Sequence, residues 1–217
     1  MSGIEAYAPP ASAAKALTPA ELLATLRAAL EPWERGTPFW IFAYGSLMWN
    51  PQFAWDARQV ATIRGYHRSF RIWSRLNRGT PENPGLVLTL ERGGSCRGLI
   101  YRIDPDRVQE EMALIWKREM TYGSYVPKWL NFVVGGNSMR ALAFTVNRDC
   151  SGYAGQLPEE VAVEAIASAS GRYGAACEYL FKTIASLQEH GIRDSRVEHL
   201  ASLVRERMKT GDAPYLS

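Results

Sequence analysis

The sequence predicts an α+β fold: a block of strands with one helix set among them, followed by a helical C-terminal part. Three observations carry this. Short apolar or alternating runs fill residues 60–146, a capped helical pattern interrupts them after Asp104, and helical periodicity takes over from Leu157-Pro158-Glu159-Glu160. Strands and helices do not alternate as repeated βαβ units require, which separates the chain from parallel α/β folds.

The first periodic segment opens at Thr18-Pro19-Ala20-Glu21. Thr as N-cap, Pro at the first helical position and Glu three residues after the cap make a capping box. Leu22, Leu23, Leu26 and Leu30 follow at helical spacing, and Gly36-Thr37-Pro38 is read as the end of the element. The run Phe39-Trp40-Ile41-Phe42-Ala43-Tyr44 is too short and too aromatic for a helix and reads as a buried strand. Further strands are expected over 66–75, around Leu86, Leu88 and Leu90, and around Arg97, Leu99, Tyr101 and Ile103. A hairpin is expected over about 129–134 and 139–146, turning at Gly135-Gly136-Asn137-Ser138. The inserted helix has Asp104 as cap, Pro105 at its first position and Gly123 to close it, and three more helices are expected over roughly 158–169, 174–190 and 195–209.

With 217 residues, 47% of them hydrophobic, the chain supports one substantial core. We read residues 1–36 as an N-terminal tail and helix, and 37–217 as a single domain. A balance of 25 basic against 22 acidic residues leaves a net charge of +3, too mild to indicate nucleic acid or a membrane surface. No apolar run approaches the roughly 20 residues that span a bilayer, and residues 1–16 lack the basic and apolar regions of a signal peptide. Cys96, Cys150 and Cys177 form no CxxC pair, and His67, His190 and His199 have no ligand-like spacing with them. The expectation is a cytoplasmic protein with reduced cysteines, no structural disulfide, no metal and no cofactor.

The inserted helix carries a carboxylate where a hydrophobe belongs. At 100° per residue from Val108, Met112 falls at about 40°, Ile115 at about 340° and Trp116 at about 80°. Glu119 falls at about 20°, within the apolar stripe, whereas Lys117 and Arg118 are read as pointing away from it and Leu114 breaks the pattern. A carboxylate on a core face costs several kcal/mol unless it is paired or protonated. Either the helix frays before Glu119, or the carboxylate pairs with an arginine across the core, or it is a general base with its pKa raised by burial.

Directly after the first strand comes Tyr44-Gly45-Ser46-Leu47-Met48-Trp49. Gly45 lets a ligand approach the backbone, and successive N–H groups there suit an anion nest or oxyanion hole, although such turns also simply end strands. No serine sits in a GxSxG elbow, and neither GxGxxG nor a phosphate-binding loop is present. Arg64, Arg68, Arg71, Arg75 and Arg78 interleave Tyr66, Phe70 and Trp73. The stretch is compatible with a nucleic-acid surface but is read in preference as a strand with a solvated basic face.

Several motifs in order then resemble one family. These are Phe42-Ala43-Tyr44-Gly45-Ser46-Leu47, Gly65-Tyr66-His67-Arg68-Ser69-Phe70, the stretch from Arg78-Gly79-Thr80 to Asn83-Pro84-Gly85, Arg118-Glu119, Tyr179-Leu180 and the segment from Asp194 to Leu203. Together, over about residues 38–205, they resemble the ChaC-type glutathione-specific γ-glutamylcyclotransferases. Many relatives have Gly where this chain has Ala43, a mild departure. The resemblance implies a small mixed β-barrel flanked by helices. It implies substrate binding by Tyr44, Gly45, Ser46 and Leu47, Glu119 as catalytic glutamate, and Tyr125 and Tyr153 lining the pocket.

The reaction so implied needs no cofactor. The α-amine of glutathione attacks its own γ-carbonyl, giving 5-oxoproline and Cys-Gly, with Glu119 as general base and acid. Two alternatives stand beside it. One is a cyclotransferase for another γ-glutamyl amine or amino acid; the other is a non-catalytic module that binds RNA or an acidic partner through the basic stretch 64–78.

Overall fold

The computed structural model describes Tyr7 and residues 16–210. The N-terminal tail read over residues 1–16 therefore lies outside the described residues, apart from Tyr7 and Ala16. The elements are α1 (Pro19–Leu30), β1 (Phe39–Ala43), β2 (Ala57–Ser74), β3 (Gly85–Ile103), α2 (Val108–Glu119), β4 (Tyr125–Val134), β5 (Asn137–Val146), α3 (Glu159–Ser168), β6 (Ser170–Gly171), β7 (Gly174–Ala175), α4 (Ala176–Glu189) and α5 (Ser195–Thr210). The five long strands close into a barrel in the order β1-β3-β2-β4-β5, and β6 and β7 form a separate small ribbon. The barrel is mixed, because β1 runs antiparallel to β3 but parallel to β5, meeting it at Ile41 and Leu142. The α+β class expected from the order of elements is what forms.

The described residues divide into two compact units. One comprises residues 16–68 and 89–150, the other residues 69–88 and the described residues from 151 onward. In the first, the capping box forms as expected: the Thr18 hydroxyl accepts from the Glu21 N–H and the Glu21 carboxylate accepts from the Thr18 N–H. α1 stops at Leu30 rather than at Gly36: Glu31 still has helical φ and ψ and donates to the Arg27 carbonyl, but Pro32 has no N–H with which to continue the ladder. The β4–β5 hairpin turns on Gly135 and Gly136 alone, with Val134 opposite Asn137. Both glycines have positive φ, 55° and 88°, the conformation that tight two-residue turns demand.

The expected short strands are in fact segments of two long ones, of 18 and 19 residues. Gly65, at φ 81°, lies within β2. Before it the buried residues are odd-numbered, Ala61 and Ile63; after it the alternation is even-numbered through Arg68, Phe70 and Ile72, until the strand's end, where Trp73 and Ser74 are buried as well. An extra residue in left-handed conformation shifts a strand's alternation by one, so β2 changes its inward face without ending.

In the second unit, α3, α4 and α5 bury Ala165, Ile166, Leu180, Leu187, Val197 and Val204. Polar contacts join the outer surfaces of α3 and α5, a hydrogen bond between His199 Nε2 and the Glu159 carboxylate at 3.0 Å and an ion pair of Arg207 with Glu164 at 2.6 Å. Arg78 is buried there, donating to the Ala175 carbonyl at 3.2 Å and lying 5.6 Å from the Tyr179 ring centroid. The solvated basic face expected of 64–78 is thus not observed. Arg64 is exposed, but Arg68 and Arg78 are buried, because buried carbonyl oxygens take up their guanidinium donors.

Candidate active site

The site is built in the first unit from the end of β1 and the end of α2. After Ala43 the chain passes through Tyr44 and Gly45 into a 3₁₀ turn over Ser46–Met48, whose Met48 N–H donates to the Gly45 carbonyl at 2.9 Å. Ser46 and Leu47 are the first residues of that turn, so their N–H groups have no acceptor inside it. Tyr44 is buried and its hydroxyl donates to the Phe144 carbonyl of β5 at 2.8 Å. Just beneath, Gly98 of β3 faces Phe42: a Cβ there would lie 2.7 Å from the Phe42 ring and against the Ala43 carbonyl. Only a glycine lets β3 approach β1 this closely where the turn begins.

Arg68, read from sequence as part of a basic face, is 3% exposed and holds this turn from below. Its Nε donates to the Tyr44 carbonyl at 2.6 Å and an Nη donates to the Arg97 carbonyl. The parity change at Gly65 is the signal that would have found it, because Arg68 shares its face with Phe70 and Ile72.

α2 presents the stripe expected from the helical wheel. Val108, Met112, Ile115 and Trp116 are buried, and Leu114, which broke the pattern, is exposed. The helix does not fray before Glu119: this residue closes the last turn, and Met120 caps it with its N–H on the Trp116 carbonyl at 2.8 Å. The Glu119 side chain is 14% exposed. Burial raises its carboxyl pKa above the ordinary range, and the adjacent Arg118 charge works against that rise.

Arg118 does not point away. Its Nε lies 3.1 Å from Glu119 Oε1, one Nη donates to Ser46 Oγ at 2.7 Å and the other donates to the Asn50 carbonyl. A guanidinium on a long flexible stem reaches well beyond the wheel angle of its Cα, which is why the periodicity argument missed it. One cation therefore links the carboxylate of α2 to the hydroxyl of the turn after β1. A second buried carboxylate on α2, Glu111, also went unread; it pairs with Arg107 and accepts from the Ala54 N–H at 2.9 Å, securing the segment after the turn.

Of the remaining expected residues, Tyr125 begins β4 in the same unit, its ring 6.3 Å from that of Phe144. Tyr153 belongs to the other unit, where it bridges to Ile72 of β2. The motif around Arg78 and Gly85 forms a tight loop in that unit: Thr80 donates to the Asn83 carbonyl at 3.0 Å, and a Cβ on Gly79 would collide with the Gly85 N and the Asn83 carbonyl. Among the described residues no group of three or more His, Cys, Asp or Glu side chains is arranged to hold a metal ion.

Chemically, the arrangement offers a carboxylate whose pKa is raised by burial, linked through Arg118 to a turn with backbone donors. A family model described as ChaC-like protein matches residues 39–207. The chain is 36% identical over 170 residues to the glutathione-specific gamma-glutamylcyclotransferase of Escherichia coli (strain K12), covering 78% of this chain and 74% of that protein. It is 34% identical over 194 residues to the glutathione-specific gamma-glutamylcyclotransferase 1 of Rattus norvegicus, covering 86% and 87%. Its fold is similar to the crystal structure of the yeast gamma-glutamylcyclotransferase specific to glutathione, with a TM-score of 0.74 at 20% identity, over 82% of this chain and 100% of that one.

Proposed function

The chain belongs to the ChaC-like family, and on that premise we propose that it is a glutathione-specific γ-glutamylcyclotransferase releasing 5-oxoproline and Cys-Gly. The observation that carries the reading is Glu119, a carboxylate raised in pKa by burial and joined through Arg118 to Ser46.

Ionised Glu119 takes a proton from the substrate ammonium, and the freed amine attacks the γ-carbonyl carbon. A new C–N bond forms while the carbonyl electrons move to oxygen, toward the backbone N–H groups of residues 44–47, each donor contributing a few kcal/mol. Collapse breaks the original amide bond: Glu119 returns its proton to the departing nitrogen, and the second proton shed by the attacking nitrogen passes the same way, so that Cys-Gly leaves as the ammonium and the lactam nitrogen keeps one hydrogen. One bond forms, one breaks, and the carboxylate ends ionised. A pKa raised toward neutrality suits a group that must both accept and donate. The attack is intramolecular, so the protein's main contribution is to hold a folded substrate conformer. We assign that role to Tyr44, Gly45, Ser46, Leu47 and Tyr125. Ser46 binds and does not attack, because its Oγ lone pair accepts from Arg118 and is a poor nucleophile. No atom changes oxidation state, and as written the reaction requires no cofactor. A cytoplasmic site of action goes with this reading, since three scattered cysteines suit a reducing compartment.

The test is a coupled assay of Cys-Gly release from glutathione, with 5-oxoproline measured in parallel. Equal yields of both are expected. Faster turnover of another γ-glutamyl compound would move the reading to a different leaving group, and no 5-oxoproline from any γ-glutamyl substrate would sink it.

A further inference from the structure

Helix α1 lies before the segment that the family model matches, yet its polar contacts converge on the turn that carries Glu119. The Trp116 indole N–H, three residues before Glu119, donates to Thr25 Oγ1 of α1 at 2.9 Å. The Leu17 N–H, ahead of α1, donates to the Thr121 carbonyl, two residues after Glu119, at 2.8 Å. Thr121 in turn caps the Lys117 carbonyl with its hydroxyl. The Thr25 hydroxyl is already oriented as an acceptor, since its proton goes to the Glu21 and Leu22 carbonyls of its own helix and leaves a lone pair facing the indole. At the other end of α1 the Trp129 indole of β4 donates to the Ala29 carbonyl at 2.8 Å, so the helix is anchored on the barrel.

A helix that only covered apolar surface would need Leu26 and Leu30, the two α1 residues that are buried. Hydrogen bonds to both sides of one catalytic turn serve a different end. Helix ends fray unless their polar groups are engaged, and general acid–base chemistry loses rate steeply when its base is misplaced. We propose that α1 is a positioning element: through the Thr25 hydroxyl and the Leu17 amide it holds the last turn of α2, and so the Glu119 carboxylate, in its working place. The proposal rests on the cyclotransferase reading only for the rate it predicts. The charged group beside Glu119 is Arg118 of its own helix; the contacts from α1 are a hydroxyl and a backbone amide, and the 3₁₀ turn brings the Ser46 hydroxyl.

The experiment compares the full-length parent with Thr25→Val, Thr25→Ser and Leu17→Pro. Valine keeps the shape of threonine but cannot accept from the indole; serine keeps the acceptor; proline removes the Leu17 N–H outside the helix. In Thr25→Val, kcat should fall by between about ten- and a hundredfold, with KM within about twofold. The acid limb of the kcat profile should move to lower pH, because water reaching Glu119 relieves the burial that raises its pKa. Amide hydrogen exchange at residues 120–123 should quicken, and Thr25→Ser should restore all three readouts. Leu17→Pro should act in the same direction and decides the matter if Thr25→Val does not fold. Parental kcat, acid limb and exchange in the variants would overturn the proposal. So would a loss of activity with an unmoved acid limb and no rescue by serine. A parent that leaves glutathione intact would instead refute the cyclotransferase reading, while hydrogen exchange would still report on the positioning role.

Discussion

Replacing Arg118 with glutamine probes the site most directly, because this one side chain touches the carboxylate, the Ser46 hydroxyl and the Asn50 carbonyl. Glutamine is too short to keep all three and carries no charge. A hydrogen bond to a charged group contributes about 1.5–3 kcal/mol, so losing the Ser46 and Glu119 contacts should lower kcat/KM by roughly ten- to a hundredfold. Breaking a fully buried ion pair costs about 3–5 kcal/mol. Here the two side chains are 24% and 14% exposed, and solvent screening reduces the loss at neutral pH to about 1–3 kcal/mol. The pH dependence is the sharper test. Burial raises the Glu119 pKa and Arg118 lowers it, so removing Arg118 should raise it further. A base must be ionised to act, and the acid limb of kcat/KM should therefore move to higher pH. For a carboxyl whose folded pKa is raised, stability is full below the unfolded value and is lost as pH rises through the folded one. The Tm gap between parent and variant should accordingly widen as pH rises through the Glu119 pKa and narrow below it, where the carboxyl is neutral in both. Rate–pH profiles and thermal melts across that range are the assays. An acid limb that stays in place or moves to lower pH would refute the coupling of Arg118 to Glu119.

Glu119→Gln should cut turnover by about two to four orders of magnitude while leaving melting at neutral pH unchanged or slightly higher; activity within threefold of the parent would remove Glu119 from the mechanism. Ser46→Ala should cost only about tenfold, since Arg118 keeps Glu119 and Asn50, and Gly45→Val should be far more damaging, as kcat/KM for both with circular dichroism as fold control will show. A folded Ser46→Ala as inactive as Glu119→Gln would point to covalent catalysis instead. Arg68→Met should lower thermal stability by roughly 2–4 kcal/mol, because the Tyr44 and Arg97 carbonyls lose their donor in a buried setting; a denaturant titration showing less than about 0.5 kcal/mol would mean that the turn does not depend on it.

The features legible in the sequence are those decided within a few residues. The Thr18 capping box, the β4–β5 turn and the apolar stripe of α2 follow from local backbone and side-chain chemistry; the box and the stripe formed where they were expected, and the turn formed at Gly135-Gly136 with Asn137 and Ser138 taken into β5. Glu119 belongs with them, because a carboxylate on an apolar stripe is a contradiction visible from spacing alone. The family motifs extended the reading to a barrel and gave the turn after β1, already read as a candidate anion nest, its substrate, neither of which periodicity could supply. Tertiary structure decided the rest. Barrel closure depends on Ile41 meeting Leu142, a pairing that nothing local to either residue encodes. Arg118 curls back onto Glu119, and Arg68 turns inward beneath Tyr44, because long side chains go where distant acceptors are, and those acceptors come together only in the folded chain. For the same reason the purpose of α1 was illegible: Thr25 becomes a partner for Trp116 only when segments 91 residues apart in sequence are folded side by side.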